Sequence, residues 1–165
     1  MAELTNLETK LGEVLGLAMA AQVSLDKVIK LAEQEGSDLV SELRQTRREA
    51  EETERRCLQL VDSFDGKKTA IKEEAADVKS KGATMLETYL DESADVLDGF
   101  EFLTMAEAAE VGHWSVLREM GSNAGESSVE ELVAWALPMQ QQHFDRALAG
   151  SRQLAREEDP NEASE

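Results

Sequence analysis

Apolar residues recur every three or four positions along most of this chain, which is the spacing of one buried face of an α-helix. Glycine-containing turn signals interrupt this spacing at Gly36, at Gly66 and over residues 121–125, where we expect a loop. The pattern predicts an all-α protein with five helices, over about residues 4–35, 38–64, 67–90, 94–120 and 128–156.

Four of the predicted helices carry polar side chains within their apolar faces. These are Gln22 in the first helix, Thr53 and Cys57 with the neighbouring Glu54 in the second, Glu107 and Glu110 in the fourth, and Gln140 and His143 in the fifth. All lie near the middle of their helices, and the middles of helices joined by short loops reach similar depth in an antiparallel bundle. We therefore predict one polar layer across the centre of the bundle.

Such a polar layer has several physical explanations. Buried carboxylates are costly unless they are paired, protonated or bound to a cation. The glutamines and His143 could satisfy Glu107 and Glu110 in a hydrogen-bonded network, or the layer could set the register of the helices. An error of a third of a turn in the assigned faces would leave some of these side chains in water. The remaining interpretation is a metal site, because carboxylate and imidazole ligands suit iron, manganese or zinc.

The composition narrows the function classes. The chain has only 2 prolines in 165 residues and is rich in the helix formers alanine, leucine and glutamate. Its formal net charge of -18 argues against nucleic acid and anionic membranes as partners, because both attract basic patches. We interpret this charge chiefly as a source of solubility; attraction of cations is the alternative.

The length fits a single domain, and we assign residues 1–156 to one helical bundle. Residues 157–165 are acidic and small and predict a disordered tail. The lone Cys57 excludes an internal disulfide and fits a reducing cytoplasm. Residues 1–6 lack the pattern of a signal peptide and no run is apolar enough to span a bilayer, so we expect a cytoplasmic protein.

The chain's 2 histidines follow potential metal ligands at helical spacing. Residues three apart share a helix face, which joins Glu107 to Glu110, Glu110 to His113, and Gln140 to His143. Di-iron carboxylate proteins build their site from a glutamate on each of two helices and a Glu-x-x-His motif on each of the other two. Gln140 stands where that motif has its glutamate, so the sequence contains only part of such a site.

Two segments resemble the last two bundle helices of rubrerythrin-like members of the ferritin-like superfamily. They are residues 99–114 (GFEFLTMAEAAEVGHW) and residues 134–144 (AWALPMQQQHF). They also resemble a group of bacterial ferritin-like domains with no settled activity. The similarity is best over residues 96–156, weaker before residue 65 and weakest over residues 67–92. The resemblance implies a ferritin-like antiparallel bundle, with helix 67–92 as an addition to its four-helix core.

The resemblance also implies roles for individual residues. Glu107 and Glu110 match the paired glutamates on the third bundle helix of rubrerythrin-like proteins. His143 matches the histidine of the last Glu-x-x-His motif, with Gln140 in its glutamate position, and His113 is an addition to the pattern.

The first two helices depart further from the family pattern. Gln22 falls where the first helix should offer glutamate, and Glu54 and Cys57 fall where the second should offer Glu-x-x-His. The neutral amides of Gln22 and Gln140 remove two negative charges, so two metal ions would be poorly neutralised. Cys57 is either a soft ligand that favours zinc or, as we favour, a small buried apolar residue. Ferroxidase or peroxidase chemistry needs both metals and is not expected.

We therefore expect a ferritin-like protein with a degenerate site for a single iron, manganese or zinc ion in the bundle core. The expected core ligands are Glu107, Glu110 and His143, and the expected secondary ligands or supporting residues are His113, Glu54 and Gln140. The alternative is a metal-free structural or interaction bundle whose polar layer only sets the helix register. A homodimer through residues 67–92 is a further prediction, because a second copy could cover the apolar face of that helix.

Overall fold

The computed structural model describes residues 3–163 and contains five α-helices. They are α1 (Asn6–Gln34), α2 (Val40–Val61), α3 (Lys68–Tyr89), α4 (Val96–Ala124) and α5 (Ser127–Glu157). Residues 3–163 contain no strand, and the prediction of an all-α protein is confirmed. No helix in this range is long and apolar enough to cross a membrane. Residues 1–2, and residues 164–165 at the end of the predicted tail, lie outside the described part of the chain.

Reciprocal side-chain hydrogen bonds close the starts of α1 and α4. At α1, the Thr5 hydroxyl accepts from the N–H of Glu8 at 3.2 Å, and the Glu8 carboxylate accepts from the N–H of Thr5 at 2.7 Å. Asp95 and Asp98 form the same arrangement at α4, at 2.9 and 3.1 Å. These capping boxes satisfy N–H groups that have no partner inside the helix, so both helices begin close to their predicted positions.

The loop predicted over residues 121–125 is wrong, because α4 continues to Ala124. Within this segment only Gly125 has the left-handed conformation that ends a helix, with φ of 66°. Gly121 lies inside α4, and its missing side chain makes room for α5: a Cβ there would lie 2.8 Å from Cγ1 of Val129. A glycine can thus mark a close approach of two helices as well as a turn.

Contacts between helices define their directions. α1 is antiparallel to α2 and α4, as shown by the pairs Asp26–Arg47, Gln22–Glu54, Val28–Gly99 and Glu13–His113. α5 is antiparallel to α2 and α4, as shown by the pairs Asp38–Gln153, Thr46–Arg146, Phe100–Gly150 and Glu107–Gln140. α2 and α4 therefore run in the same direction.

α3 runs parallel to α1 and returns the chain from the end of α2 to the start of α4. Its main packing partner is α1. A Cβ on Gly12 or Gly16 of α1 would approach the carbonyl oxygens of Ile71 or Ala75 to 2.9 or 2.5 Å. Gly82 of α3 makes a similarly close contact, since a Cβ there would lie 2.7 Å from Cβ of Ala20 in α1. Ile71 and Ala75 on the inner face of α3 are therefore buried, whereas Met85 and Tyr89 near its end remain exposed.

Two apolar clusters fill the interior. One includes Leu25, Val28, Leu43, Phe100 and Leu103, and the other includes Leu11, Leu15, Val61, Trp114, Leu117 and Val129. On α2, α4 and α5, the stretch between the two clusters carries buried polar side chains. The core is thus interrupted near the middle of these helices, where the predicted polar layer falls.

Candidate functional site

Six polar side chains occupy this interruption, and we call them the central polar layer. They are Gln22 of α1, Glu54 of α2, Glu107 and Glu110 of α4, and Gln140 and His143 of α5. Glu54 is half-buried and the other five are buried, with Glu107 and His143 each 2 % exposed. The predicted inward faces are therefore confirmed, and the alternative that these residues point to water is wrong.

Two amide–carboxylate pairs cross the helix interfaces of the layer. The Gln22 side-chain amide donates a hydrogen bond to the Glu54 carboxylate, from α1 to α2. The Gln140 amide donates in the same way to the Glu107 carboxylate, from α5 to α4. In each pair a neutral amide donates a hydrogen bond to an acidic side chain. The glutamines therefore satisfy the carboxylates as acceptors but do not neutralise their charge.

Glu107 and Glu110 form a buried acidic pair one turn apart on α4. Burial raises the pKa of Glu107 to about 7, although the hydrogen bond from Gln140 opposes this shift. Burial and the neighbouring Glu107 carboxyl group raise the pKa of Glu110 well above its usual range. Both shifts arise because charged carboxylates are poorly solvated in the core. The pair therefore holds at least one proton at neutral pH.

His143 lies between two carboxyl groups. Its Nε2 is 2.8 Å from Oε2 of Glu49, and its Nδ1 is 3.7 Å from Oε2 of Glu107. Burial lowers the pKa of His143, whereas the hydrogen bond and the charge of Glu49 act in the opposite direction and Arg146 adds to the lowering. The net lowering keeps the imidazole neutral at neutral pH, which is the form that binds metals.

Glu49 and Arg146 are site residues that the sequence analysis missed. Glu49 lies in a run of charged residues on α2 that is typical of an exposed helix surface, but its side chain is only 21 % exposed and contacts both His143 and Arg146. Burial alone would raise the pKa of Glu49, but hydrogen bonds from Gln45, Arg146 and His143 together lower it. The charged groups at 49 and 146 therefore form the outer edge of the polar layer.

Cys57 lies beside the acidic residues of the layer but is fully buried. Burial raises the pKa of its thiol, and the carboxyl groups of Glu110 and Glu54 raise it further. Its thiol therefore stays protonated in the metal-free protein and packs as a small apolar group. Near it in the core, Trp114 has a buried indole N–H with no hydrogen-bond partner among residues 3–163.

His113 does not join the central polar layer. Its side chain is 38 % exposed and lies between α1 and α4, with Nδ1 3.2 Å from Oε2 of Glu13 and 3.3 Å from Nζ of Lys10. His113 lies six residues after Glu107 and is therefore turned about 120° around the helix from it, toward α1. The structure thus separates this predicted ligand from Glu107, Glu110 and His143.

A small cavity adjoins the layer between α2, α4 and α5. It has a volume of about 10 Å³, enough for roughly one water molecule, and its walls include Thr46, Glu107, His143 and Arg146. A larger cleft of about 590 Å³ lies between α4 and α5, but none of the polar-layer residues lines it. The central polar layer therefore lies in the interior of the bundle, separate from the larger cleft.

The donors of the layer do not fit a two-metal site. Gln22 and Gln140 are neutral, and Cys57 stands three residues after Glu54, where a Glu-x-x-His motif would have histidine. As they stand, no three His, Cys, Asp or Glu side chains in residues 3–163 are grouped to hold a metal ion. Glu107 and His143 nevertheless lie side by side, and with Glu110 they have the donor chemistry of a single-cation site.

Comparisons with protein-family models, curated proteins and solved structures found no match to this chain.

Proposed function

We propose that this chain is a ferritin-like protein that binds a single divalent metal cation in its central polar layer. One observation carries the proposal: Glu107 and Glu110 are buried, and no Lys or Arg in residues 3–163 forms a salt bridge with either of them. Buried carboxyl groups without a cationic partner are unfavourable when ionised. A bound metal cation would supply that partner, and neutral His143 would add an imidazole ligand.

The connectivity of the helices supports this proposal. α1, α2, α4 and α5 surround the layer, and the chain crosses between the two pairs only once, through α3. A four-helix bundle with one long crossover connection is the arrangement of ferritin-like folds. The four helices that contribute to the polar layer correspond to the four that contribute ligands in the di-iron carboxylate members of that class.

Glu107, Glu110 and His143 would hold the cation, with Glu54 and Gln140 as supporting residues. Oxygen and imidazole donors suit iron, manganese or zinc, and the bound ion would supply a fixed positive charge. Because Gln140 already donates to Glu107, a metal would compete with that hydrogen bond. We therefore expect weaker binding than at a site with a carboxylate at position 140.

The two histidines provide a matched test. Protein without a histidine tag is stripped with a chelator and then titrated with Mn²⁺, Zn²⁺ or anaerobic Fe²⁺, and bound metal and melting temperature are measured. At a hundredfold excess over Kd, linkage predicts a stabilisation of about 2.7 kcal/mol. His143→Gln should abolish the metal-dependent shift, and His113→Gln should retain it because His113 lies outside the layer. Wild-type protein that retains no ion and shows no shift would refute the proposal.

A second candidate function is a metal-free structural bundle, and the two amide–carboxylate pairs favour it. Gln22 and Gln140 satisfy Glu54 and Glu107 without any ion, and these directional contacts could set the helix register. In that case the same titration would give no bound metal, and Gln140→Leu would loosen the packing of α4 against α5. Loss of a sharp, cooperative melting transition in that variant would support the structural role.

A further inference from the structure

The interface between α2 and α5 is the weakest barrier around the central polar layer. The other helix pairs that enclose the layer, α1–α2, α1–α4 and α4–α5, all pack more extensively. α2 and α5 are also far apart in the chain, so no short loop ties them together. The small cavity beside Glu107 and His143 lies at this interface.

A pair of charged side chains closes this interface. Nη1 of Arg146 lies 2.8 Å from Oε2 of Glu49, and the same Glu49 oxygen is 2.8 Å from Nε2 of His143. Arg146 also reaches Oγ1 of Thr46 on α2 at 3.4 Å. The side chains of Glu49 and Arg146 are 21 % and 29 % exposed, whereas that of His143 is 2 % exposed. The Glu49–Arg146 pair therefore stands between His143 and the solvent.

We infer that metal cations reach the central polar layer between α2 and α5, and that Arg146 closes this route by occupying the Glu49 carboxylate. The inference rests on the proposed single-cation site. A cation arriving from solvent meets Glu49 before it meets Glu107. The guanidinium group can leave without being buried elsewhere, because a long arginine side chain keeps its charged end in water while its stem stays against the protein.

A gate has a kinetic signature that a simple charge effect lacks. Removing a nearby positive charge alone speeds cation uptake and slows cation release, because it strengthens binding. Removing a gate speeds both uptake and release. We therefore expect Arg146→Gln to accelerate Co²⁺ uptake and Co²⁺ release, each by about fivefold, the factor by which the loss of a partly exposed ion pair raises the open fraction. Arg146→Lys keeps the charge and should stay near wild type.

The experiment uses the full chain, stripped with a chelator and mixed with Co²⁺ in a stopped-flow instrument. Quenching of tryptophan fluorescence reports uptake, excess chelator reports release, and equilibrium dialysis reports binding. Arg152→Gln is the matched control, because Arg152 is an exposed residue on the same helix. Faster uptake with faster release in Arg146→Gln alone supports the gate. Rates that equal the control, or faster uptake with slower release, overturn the gate and leave the proposed function intact. Wild-type protein that binds no Co²⁺ at equilibrium overturns both.

Discussion

Nε2 of His143 lies 2.8 Å from a carboxylate oxygen of Glu49, across the interface between α2 and α5. The other ring nitrogen of His143 faces Glu107 of α4 at 3.7 Å. One imidazole therefore connects a half-buried carboxylate at the outer edge to the acidic pair in the core. Apolar clusters lie on both sides of this connection. Because apolar side chains cannot form hydrogen bonds, the polar groups between the clusters must pair with one another.

Glu110→Gln should stabilise the metal-free protein. Glu110 is fully buried, and its raised pKa means that folding at neutral pH must protonate a carboxyl group that is ionised in the unfolded chain. A neutral amide of the same shape removes this penalty, so we expect the free energy of unfolding to rise by about 2 kcal/mol. Urea denaturation at pH 7.5 in the presence of a chelator measures the change.

The control for this prediction is Glu101→Gln, an exposed position on the same helix. Surface substitutions of this kind usually change stability by less than about 0.5 kcal/mol. The Glu110 variant should also lose metal-dependent stabilisation, whereas the Glu101 variant should keep it. A Glu110→Gln variant that is less stable than wild type in chelator would show that the carboxyl group makes a favourable contact in the metal-free state.

The contribution of Glu107 to the stability of the metal-free protein should fall as the pH rises from 5 to about 7. Burial raises the folded-state pKa of Glu107 from 4.5 to about 7, so in this window the folded state binds more protons than the unfolded state. The contribution is fully present below the unfolded pKa and is lost as the pH passes the folded pKa. The change amounts to about 2 to 3 kcal/mol.

Chemical denaturation in chelator across this window measures the effect as the difference between wild type and Glu107→Gln. The lowered pKa of His143 acts in the opposite direction in both proteins, because the unfolded state binds more protons there, so the difference isolates Glu107. A wild-type profile that does not fall relative to that of Glu107→Gln between pH 5 and 7 would contradict the burial argument for Glu107.

Much of the fold follows from the sequence because each helix carries a regular apolar face. Phe100, Trp114 and Leu117 recur at helical spacing on α4, and all three are buried. The partner of α3 could not be predicted in this way. The packing of α3 on α1 depends on close approach at Gly12 and Gly16. Because glycine has no side chain, it is not counted among the apolar residues whose spacing marks a buried face. The same limit explains why Gly121 was mistaken for part of a loop.

The buried part of the site was also predictable, but its outer edge was not. Gln22, Glu107 and Gln140 interrupt apolar faces, and a polar residue at an inward position is recognisable from periodicity alone. Glu49 and Arg146 flank those faces, where long charged side chains ordinarily turn to solvent. The Glu49 side chain turns inward because it contacts Arg146 and His143. These are tertiary contacts between residues nearly a hundred positions apart, so periodicity along one helix does not predict them.

Self-association through residues 67–92 stays a prediction. The inner face of α3 packs on α1, but Met85 and Tyr89 remain 47 % and 58 % exposed. We expect these side chains to be apolar contacts of a homodimer that sedimentation velocity detects. Tyr89→Glu should then yield monomers, whereas Val116→Glu, at an exposed position of α4, should not. Wild-type protein that is monomeric at every concentration would rule this out.

The contact between α1 and α3 can be tested by substituting two glycines for which alanine should have opposite effects on stability. A Cβ at Gly16 would lie 2.5 Å from the backbone oxygen of Ala75, which cannot rotate away, so Gly16→Ala should destabilise the protein by about 1 to 3 kcal/mol. Gly112 lies inside α4 with open space around it, so Gly112→Ala should stabilise by about 1 kcal/mol through helix propensity. Thermal denaturation of both variants measures this difference; equal effects would mean that α3 does not pack closely on α1.

Introducing a carboxylate at position 140 should strengthen metal binding. Gln140→Glu replaces the amide that donates to Glu107 with a second negative charge beside His143. We expect metal affinity to rise by about tenfold or more, at the scale of changes that partners of metal ligands produce. The metal-free variant should also be less stable, because it buries another carboxyl group without a cation.

Equilibrium dialysis with elemental analysis measures this affinity, and Gln141→Glu is the control, because it adds the same charge at an exposed neighbouring position. Adding Gln22→Glu and Cys57→His to Gln140→Glu completes the ligand pattern of the di-iron carboxylate proteins. The bound metal should then rise from one ion per chain to two. If Gln140→Glu binds no more tightly than Gln141→Glu, the central polar layer is a structural network, and its glutamines serve to satisfy Glu54 and Glu107 rather than to weaken a metal site.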